Sequence, residues 1–322
     1  TDNGGNILKI LFMGTPDLAA VCLEAVYNKA GVEVVGVLTQ PDKPKGRGMK
    51  LVPPPVKVFA EKHGIPVYQP QTLKNGAFED ELKKLDPDMI IVAAYGKILP
   101  KYVLDYPKYG CVNAHGSILP KYRGASPIQR AIIDGEKITG ITAMYMAEGL
   151  DTGDIIKIYP CDITPDDDFG SLHDKLAVLA GEAMCDVIDM TENGTVTRTK
   201  QDDEKSSYAA KIEKEDTVID FTKNAEDIVN LVRGLSPAPL AVTRTPDGKL
   251  LKLTHAHLSD KAKTDNAGEV AALSDKGDGE IVLSCGNGCI SVTGVVPEGK
   301  KPMKSADYIR GRRISVGDIL KY

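Results

Sequence analysis

Long apolar runs are missing from this 322-residue sequence. None reaches the roughly 20 consecutive apolar positions that a membrane-spanning helix needs, and no charged-then-apolar leader opens the chain. Thr1 to Asn6 are small and polar and read as a tail outside the fold. Cysteine is sparse and unpatterned. The six stand at 22, 111, 161, 185, 285 and 289, and only the last two are close, so neither a disulfide framework nor the second pair of a zinc site is present. All six are expected to be reduced, as in a cytoplasmic protein, and no metal is expected. Excess positive charge is missing too: the net charge of −5 excludes a globally basic nucleic-acid binder. Internal repeats and low-complexity segments are absent.

What is there reads as an α/β chain with a mostly parallel sheet, followed by a smaller domain of short strands. The length favours two domains. Residues 7–13 (ILKILFM) form a buried strand ending at Gly14. Thr15, Pro16 and Asp17 then supply a cap, a first-turn proline and a first-turn acid for a helix that stops at Gly31. With the apolar run 32–39, the opening unit is strand–helix–strand, as in a parallel sheet. The Gly14 turn lacks the further glycines of a dinucleotide fingerprint, which argues against a nicotinamide dehydrogenase. Residues 40–50 (QPDKPKGRGMK) form a loop carrying Lys43, Lys45, Arg47 and Lys50 against Asp42. Such a loop suits a phosphate-bearing substrate or is simply a solvated connector. Further strands are expected at 65–68 and 88–95.

The chain is organised around residues 111–130 (CVNAHGSILPKYRGASPIQR). Asn113 and His115 are two apart, so on a strand they leave from one face. At the carboxyl end of a parallel strand, an amide donor beside an imidazole can bind a developing oxyanion and move a proton. The same pair can also be a polar strand end that caps the next helix. From Gly140, two alternating runs flank a turn holding Asp151, read as an antiparallel extension of the sheet. Asp151 either orients His115 from the side or bonds its own turn. Periodicity is lost between 194 and 213, a linker between a domain at 7–193 and one at 214–322. The second domain carries short strands at 240–245, 249–258, 268–273, 280–284 and 289–295, suggesting a small β-barrel. Its charge is nearly balanced, 16 Lys and Arg against 15 Asp and Glu. Lys300, Lys301, Lys304, Arg310, Arg312 and Arg313 crowd together with only Asp307 among them, either tracking a phosphate backbone or forming a solvated face.

Residues 113–124 (NAHGSILPKYRG) and 149–153 (GLDTG) resemble the signature of the 10-formyltetrahydrofolate-dependent formyltransferases. The likeness runs from Ile7 nearly to the end, including 14–17 (GTPD), the 40–50 loop and 126–130 (SPIQR). Within that superfamily the whole chain resembles the branch acting on methionyl initiator tRNA. The resemblance implies a Rossmann-like catalytic domain and an OB-like C-terminal domain that helps hold the tRNA. It implies 10-formyltetrahydrofolate as co-substrate, no metal, and a catalytic set of Asn113, His115 and Asp151. Ser117, Ile118, Leu119 and Pro120 would line the folate site, with Tyr95, Gly96, Ile98 and Leu99 as a second wall. The loop carrying Lys43, Lys45, Arg47 and Lys50 would meet the tRNA acceptor end. The protein is expected to act as a monomer. Two positions depart from the pattern: Tyr122 stands where tryptophan is common, and 236–240 (SPAPL) lacks the usual tryptophan, in a chain that has none. Two other readings stay open here. One is a formyltransferase acting on a sugar-nucleotide or purine-precursor amine, and the other is a non-catalytic RNA-binding protein.

Overall fold

The computed structural model describes residues 7–45 and 48–322. The chain forms two compact units. One comprises residues up to 127 together with 138–162 and 173–209; the other comprises 128–137, 163–172 and 210–322. Among the described residues no helix is long and apolar enough to cross a membrane.

The first unit is built on a seven-stranded sheet. Its strands are β1 (Leu8–Gly14), β2 (Val32–Leu38), β3 (Val67–Tyr68), β4 (Met89–Ala93), β5 (Cys111–His115), β6 (Ile138–Tyr145) and β7 (Ile155–Asp162). The order across the sheet is β7-β6-β5-β4-β1-β2-β3. The first five run parallel, whereas β6 is antiparallel to both β5 and β7. Strands β4 and β5 are buried along their whole length and β1 nearly so, as in a parallel sheet covered on both faces. Leu11, Met13, Leu38, Ile90, Val92 and Cys111 form one of its cores, joined by Leu82, Leu99 and Val103.

From β1 the chain first builds outward through β2 and β3, then returns to lay β4 and β5 on the other side. Connections diverge at β1 and β4, and their carboxyl ends leave the crevice where ligands bind in open α/β sheets. Gly14 is what lets the chain turn there. A Cβ at this position would lie 2.6 Å from Ala19 Cβ and 2.7 Å from the Ala93 carbonyl oxygen. Thr15 departs from its expected role as helix cap. Pro16 takes the cap position of helix Asp17–Tyr27 without a side-chain cap bond. The Thr15 hydroxyl instead donates to the Tyr95 carbonyl at 3.3 Å and accepts from the Gln40 N–H at 3.4 Å. It ties the ends of three strands together, a set of partners that local spacing does not reveal.

The second unit is an antiparallel sheet with helix Ala225–Leu235 packed on it. Its strands are β8 (Ala241–Arg244), β9 (Leu250–Ser259), β10 (Val270–Ser274), β11 (Glu280–Ser284), β12 (Cys289–Pro297) and β13 (Met303–Lys304). The order is β8-β9-β12-β11-β10, with β13 on β12. Ile228, Val232 and Leu235 of the helix meet Leu253, Ile281, Ile290 and Val292 of the strands. Arg233 secures residues 163–172 to this unit, donating through Nε to the Asp167 carbonyl and through NH2 to the Thr164 carbonyl, both at 2.7 Å. Arg130 reaches Asp216 at 2.8 Å.

Ile90 is fully buried on β4 between Leu11 and Cys111. Truncation by Ile90→Ala is expected to cost about 2–5 kcal/mol. The loss is read as a lower urea midpoint at unchanged slope, and an unchanged midpoint would overturn the assignment of this strand to the core.

Candidate active site

Strand β5 ends at His115, and Asn113 and His115 leave it on the same face. Both are nearly enclosed, at 8% and 6% exposure. The His115 Nε2 lies 2.9 Å from the Tyr122 carbonyl oxygen. A carbonyl can only accept, so Nε2 carries a proton and Nδ1 is the ring atom left to exchange one. Nδ1 stands 3.6 Å from Asp151 Oδ2, just beyond a direct hydrogen bond. That same carboxylate oxygen accepts the Gly124 N–H at 2.8 Å. The Asn113 amide has no hydrogen-bond partner among the described residues. An amide left open beside an imidazole can donate to an incoming group.

The loop after β5 and the turn between β6 and β7 are both strained where they serve these groups. Tyr122 and Asp151 both hold positive φ, +60° and +52°, which costs about 1–3 kcal/mol each and persists only where the surroundings enforce it. Gly124, at φ +115°, could not be replaced freely: a Cβ would stand 2.6 Å from the Tyr208 ring and 2.8 Å from the Ala209 carbonyl.

The two expected folate walls differ in what they present. Ser117 and Leu119 are buried, and Ile118 and Pro120 are half-buried. The Ser117 hydroxyl donates to the Lys121 carbonyl at 2.7 Å. Thr142 Oγ1 donates to the Ser117 carbonyl and accepts the Leu119 N–H, which staples the loop to β6. On the other side Tyr95 and Leu99 turn their side chains into the hydrophobic core. Burial pushes the Tyr95 phenol up to about 12. This wall therefore offers Ile98, which is 81% exposed, and the backbone around Gly96. The Tyr95 carbonyl is fixed by Thr15 and by the Gln40 side chain at 3.1 Å.

Around the 40–50 segment, Lys43–Lys45 pairs antiparallel with Lys50–Val52. Lys43 and Lys50 are exposed and make no ion pair among the described residues, while Arg47 lies outside those residues. The segment's acid is engaged: Asp42 takes a 2.7 Å bond from Gln69 and bonds of 2.9 and 3.0 Å from Lys57. The Gln69 bond first, then Lys57, holds this carboxyl below its ordinary range. In the second unit, Lys304 and Arg310 of the basic cluster pair with Asp278, Asp275 and Asp307.

Burial pushes the Cys111 thiol up to about 12, which removes it as a nucleophile. Among the described residues no group of three or more metal-ligating side chains comes together.

A family model described as formyl transferase matches residues 6–188, and one described as formyl transferase, C-terminal domain, matches 211–313. The methionyl-tRNA formyltransferase of Geobacter metallireducens is 45% identical over 310 residues, covering 96% of this chain and 97% of that protein. That of Clostridium novyi is 46% identical over 315 residues, covering 98% and 100%. Among solved structures, the N-formyltransferase from Helicobacter canadensis, in complex with folinic acid and dTDP-3-aminofucose, aligns with a TM-score of 0.65. It covers 88% of this chain and 98% of its own at 20% identity, a likeness of fold. With both domain models matched and nearly full-length relatives at this identity, the chain belongs to the formyl transferase family.

Proposed function

We propose that this protein transfers the formyl group of 10-formyltetrahydrofolate to the α-amine of methionyl initiator tRNA, with Asn113, His115 and Asp151 as its catalytic residues. The observation that carries the site assignment is the unpartnered Asn113 amide beside an imidazole whose tautomer is set by the Tyr122 carbonyl. The substrate assignment is supported by the names of the relatives that match nearly end to end. Folate as the formyl carrier is supported by the family and by the folinic acid held by the Helicobacter canadensis neighbour.

The formyl donor supplies an electrophilic carbon on a nitrogen that must leave with a proton. The α-amine of an aminoacyl ester titrates below the ordinary value of about 8, so free amine is available near neutral pH. The Asn113 amide donates to the formyl oxygen as charge develops on it. His115 moves the proton at Nδ1, because Nε2 is committed to a carbonyl. Asp151 stabilises the charged ring and is itself steadied by the Gly124 N–H. Ile118, Pro120 and Ile98 provide apolar surface for flat rings. Lys43, Lys45, Arg47 and Lys50 give phosphates a cationic approach, and phosphate contacts supply affinity rather than sequence reading. All three catalytic side chains come from one chain, so a monomer suffices, and a tRNA substrate suits a cytoplasmic enzyme.

Incubation with 10-formyltetrahydrofolate and methionyl initiator tRNA is expected to yield formylmethionine by mass spectrometry, with elongator methionyl-tRNA left unmodified. Formyl transfer only to small amines such as an amino sugar nucleotide would keep the chemistry and reject the tRNA. Asn113→Ala is expected to lower kcat by about 10²–10³. An Asn113→Ala enzyme of wild-type rate would remove this amide from the reaction. Arg47→Ala is expected to raise the tRNA KM and to lower its salt dependence by about one unit of log–log slope, with the folate KM unchanged. A tRNA KM that does not move would separate this segment from tRNA binding.

A further inference from the structure

Residues 199–209 lack periodicity, yet they run along the groups that hold His115 and Asp151. Gln201 is at the centre and is 6% exposed. Its Nε2 donates to the carbonyls of Asp151 and Gly153, both at 2.8 Å, so it spans the turn that carries the carboxylate. Its Oε1 accepts from Arg123 Nε at 3.1 Å and NH2 at 2.9 Å. Both donors and both acceptor positions of the carboxamide are therefore used. Arg123 is secured in turn by Asp203 at 2.7 Å.

The rest of the segment acts on the partner loop. Tyr122 N–H donates to Ser207 Oγ at 2.9 Å, and Arg123 N–H to the Ser207 carbonyl at 2.9 Å. Tyr208 and Ala209 pair in parallel with Arg123 and Gly124. Thr199 and Ile155 exchange backbone bonds of 2.8 and 2.9 Å just beyond the Asp151 turn. The carbonyl that fixes His115 and the N–H that fixes Asp151 thus belong to the stretch this segment braces, and Gln201 joins that stretch to the Asp151 turn.

We propose that Gln201 is a positioning residue for the transfer reaction, holding the Asp151 turn in its left-handed backbone so that the carboxylate stays in register with His115. This rests on the formyl-transfer reading of Asn113, His115 and Asp151. Gln201 touches neither of the ionisable side chains, so it acts through the backbone on either side of Asp151. A glutamine serves where a carboxylate fails, because the two carbonyls need donors while Arg123 needs an acceptor.

Gln201→Glu keeps the side-chain volume and the Arg123 contact and loses both donors. It is expected to lower kcat about 10- to 100-fold, the order expected for a misplaced reacting group. KM for both substrates should stay within about twofold, since uniform binding is untouched. The decisive measurement is the double-mutant cycle with Asp151→Asn, read in single turnover. A positioning role predicts that Gln201→Glu costs little once the carboxylate is gone, whereas equal losses in both backgrounds would overturn it. The wild-type and Asp151→Asn arms test the reaction itself. If wild type forms no formylmethionine, the proposal is still decided by amide exchange across 150–155. Faster exchange there in Gln201→Glu supports it, and unchanged exchange overturns it. Should Gln201→Glu fold poorly, Arg123→Lys, which removes the fork holding Gln201 Oε1, is expected to give the same pattern at smaller amplitude. Wild-type kcat in that variant would count against the proposal.

Discussion

Two backbone groups only two residues apart govern the candidate site: the Tyr122 carbonyl and the Gly124 N–H. One fixes the proton on His115 Nε2, and the other holds Asp151 Oδ2. Both contacts draw on the same requirement that enclosed polar groups find partners. A strand cannot provide such contacts by itself, because its backbone groups are occupied by neighbouring strands. A loop can, but only if something keeps it from moving. Here the loop is stapled from β6 by Thr142 and braced by Ser207 to Ala209. The positive φ values at Tyr122 and Asp151 are the cost of aiming these groups, sustained by that bracing.

The sheet decides where this happens. β1 has β2 on one side and β4 on the other, so the crevice opens at their carboxyl ends with β5 next in line. β5 then delivers Asn113 and His115 on one face, and antiparallel β6 leads into the turn with Asp151. Antiparallel β6 runs back beside β5, from Thr142 opposite His115 to Tyr145 opposite Val112, and the connection from β6 to β7 carries the Asp151 carboxylate to within 3.6 Å of the imidazole.

Much of this is legible in the sequence because apolar periodicity tracks burial. Strands such as 111–115 and 280–284, and the helix from Ala225, follow from their patterns. Asn113 and His115 are readable from spacing, because period two is a property of any strand. Thr15 is misread as a cap because its partners, Gln40 and Tyr95, are 25 and 80 residues away. Tyr95 and Leu99 are legible as residues after a strand, yet their direction into the core depends on packing that sequence does not encode locally. Gln201 leaves no signal at all. A polar residue in an aperiodic stretch looks like solvent-facing chain, and its partners are carbonyls about 50 residues earlier and an arginine 78 residues earlier.

A net charge of −5 sits poorly with a polyanionic substrate until distance is considered. At 0.1 M salt, charges more than about 10 Å apart are largely screened, so a phosphate responds to the residues it meets and not to the whole-molecule sum. The one acid among residues 40–50 is Asp42, and it is turned to Lys57 and Gln69. Lys43 and Lys50 are thereby left without a local counter-charge, while the acids that make the molecule negative are spread elsewhere. The Asp42 contacts serve two ends at once: they anchor the segment to the helix Pro55–Lys62 through Lys57, and they keep its outer face cationic. An acidic chain can in this way present a locally basic element.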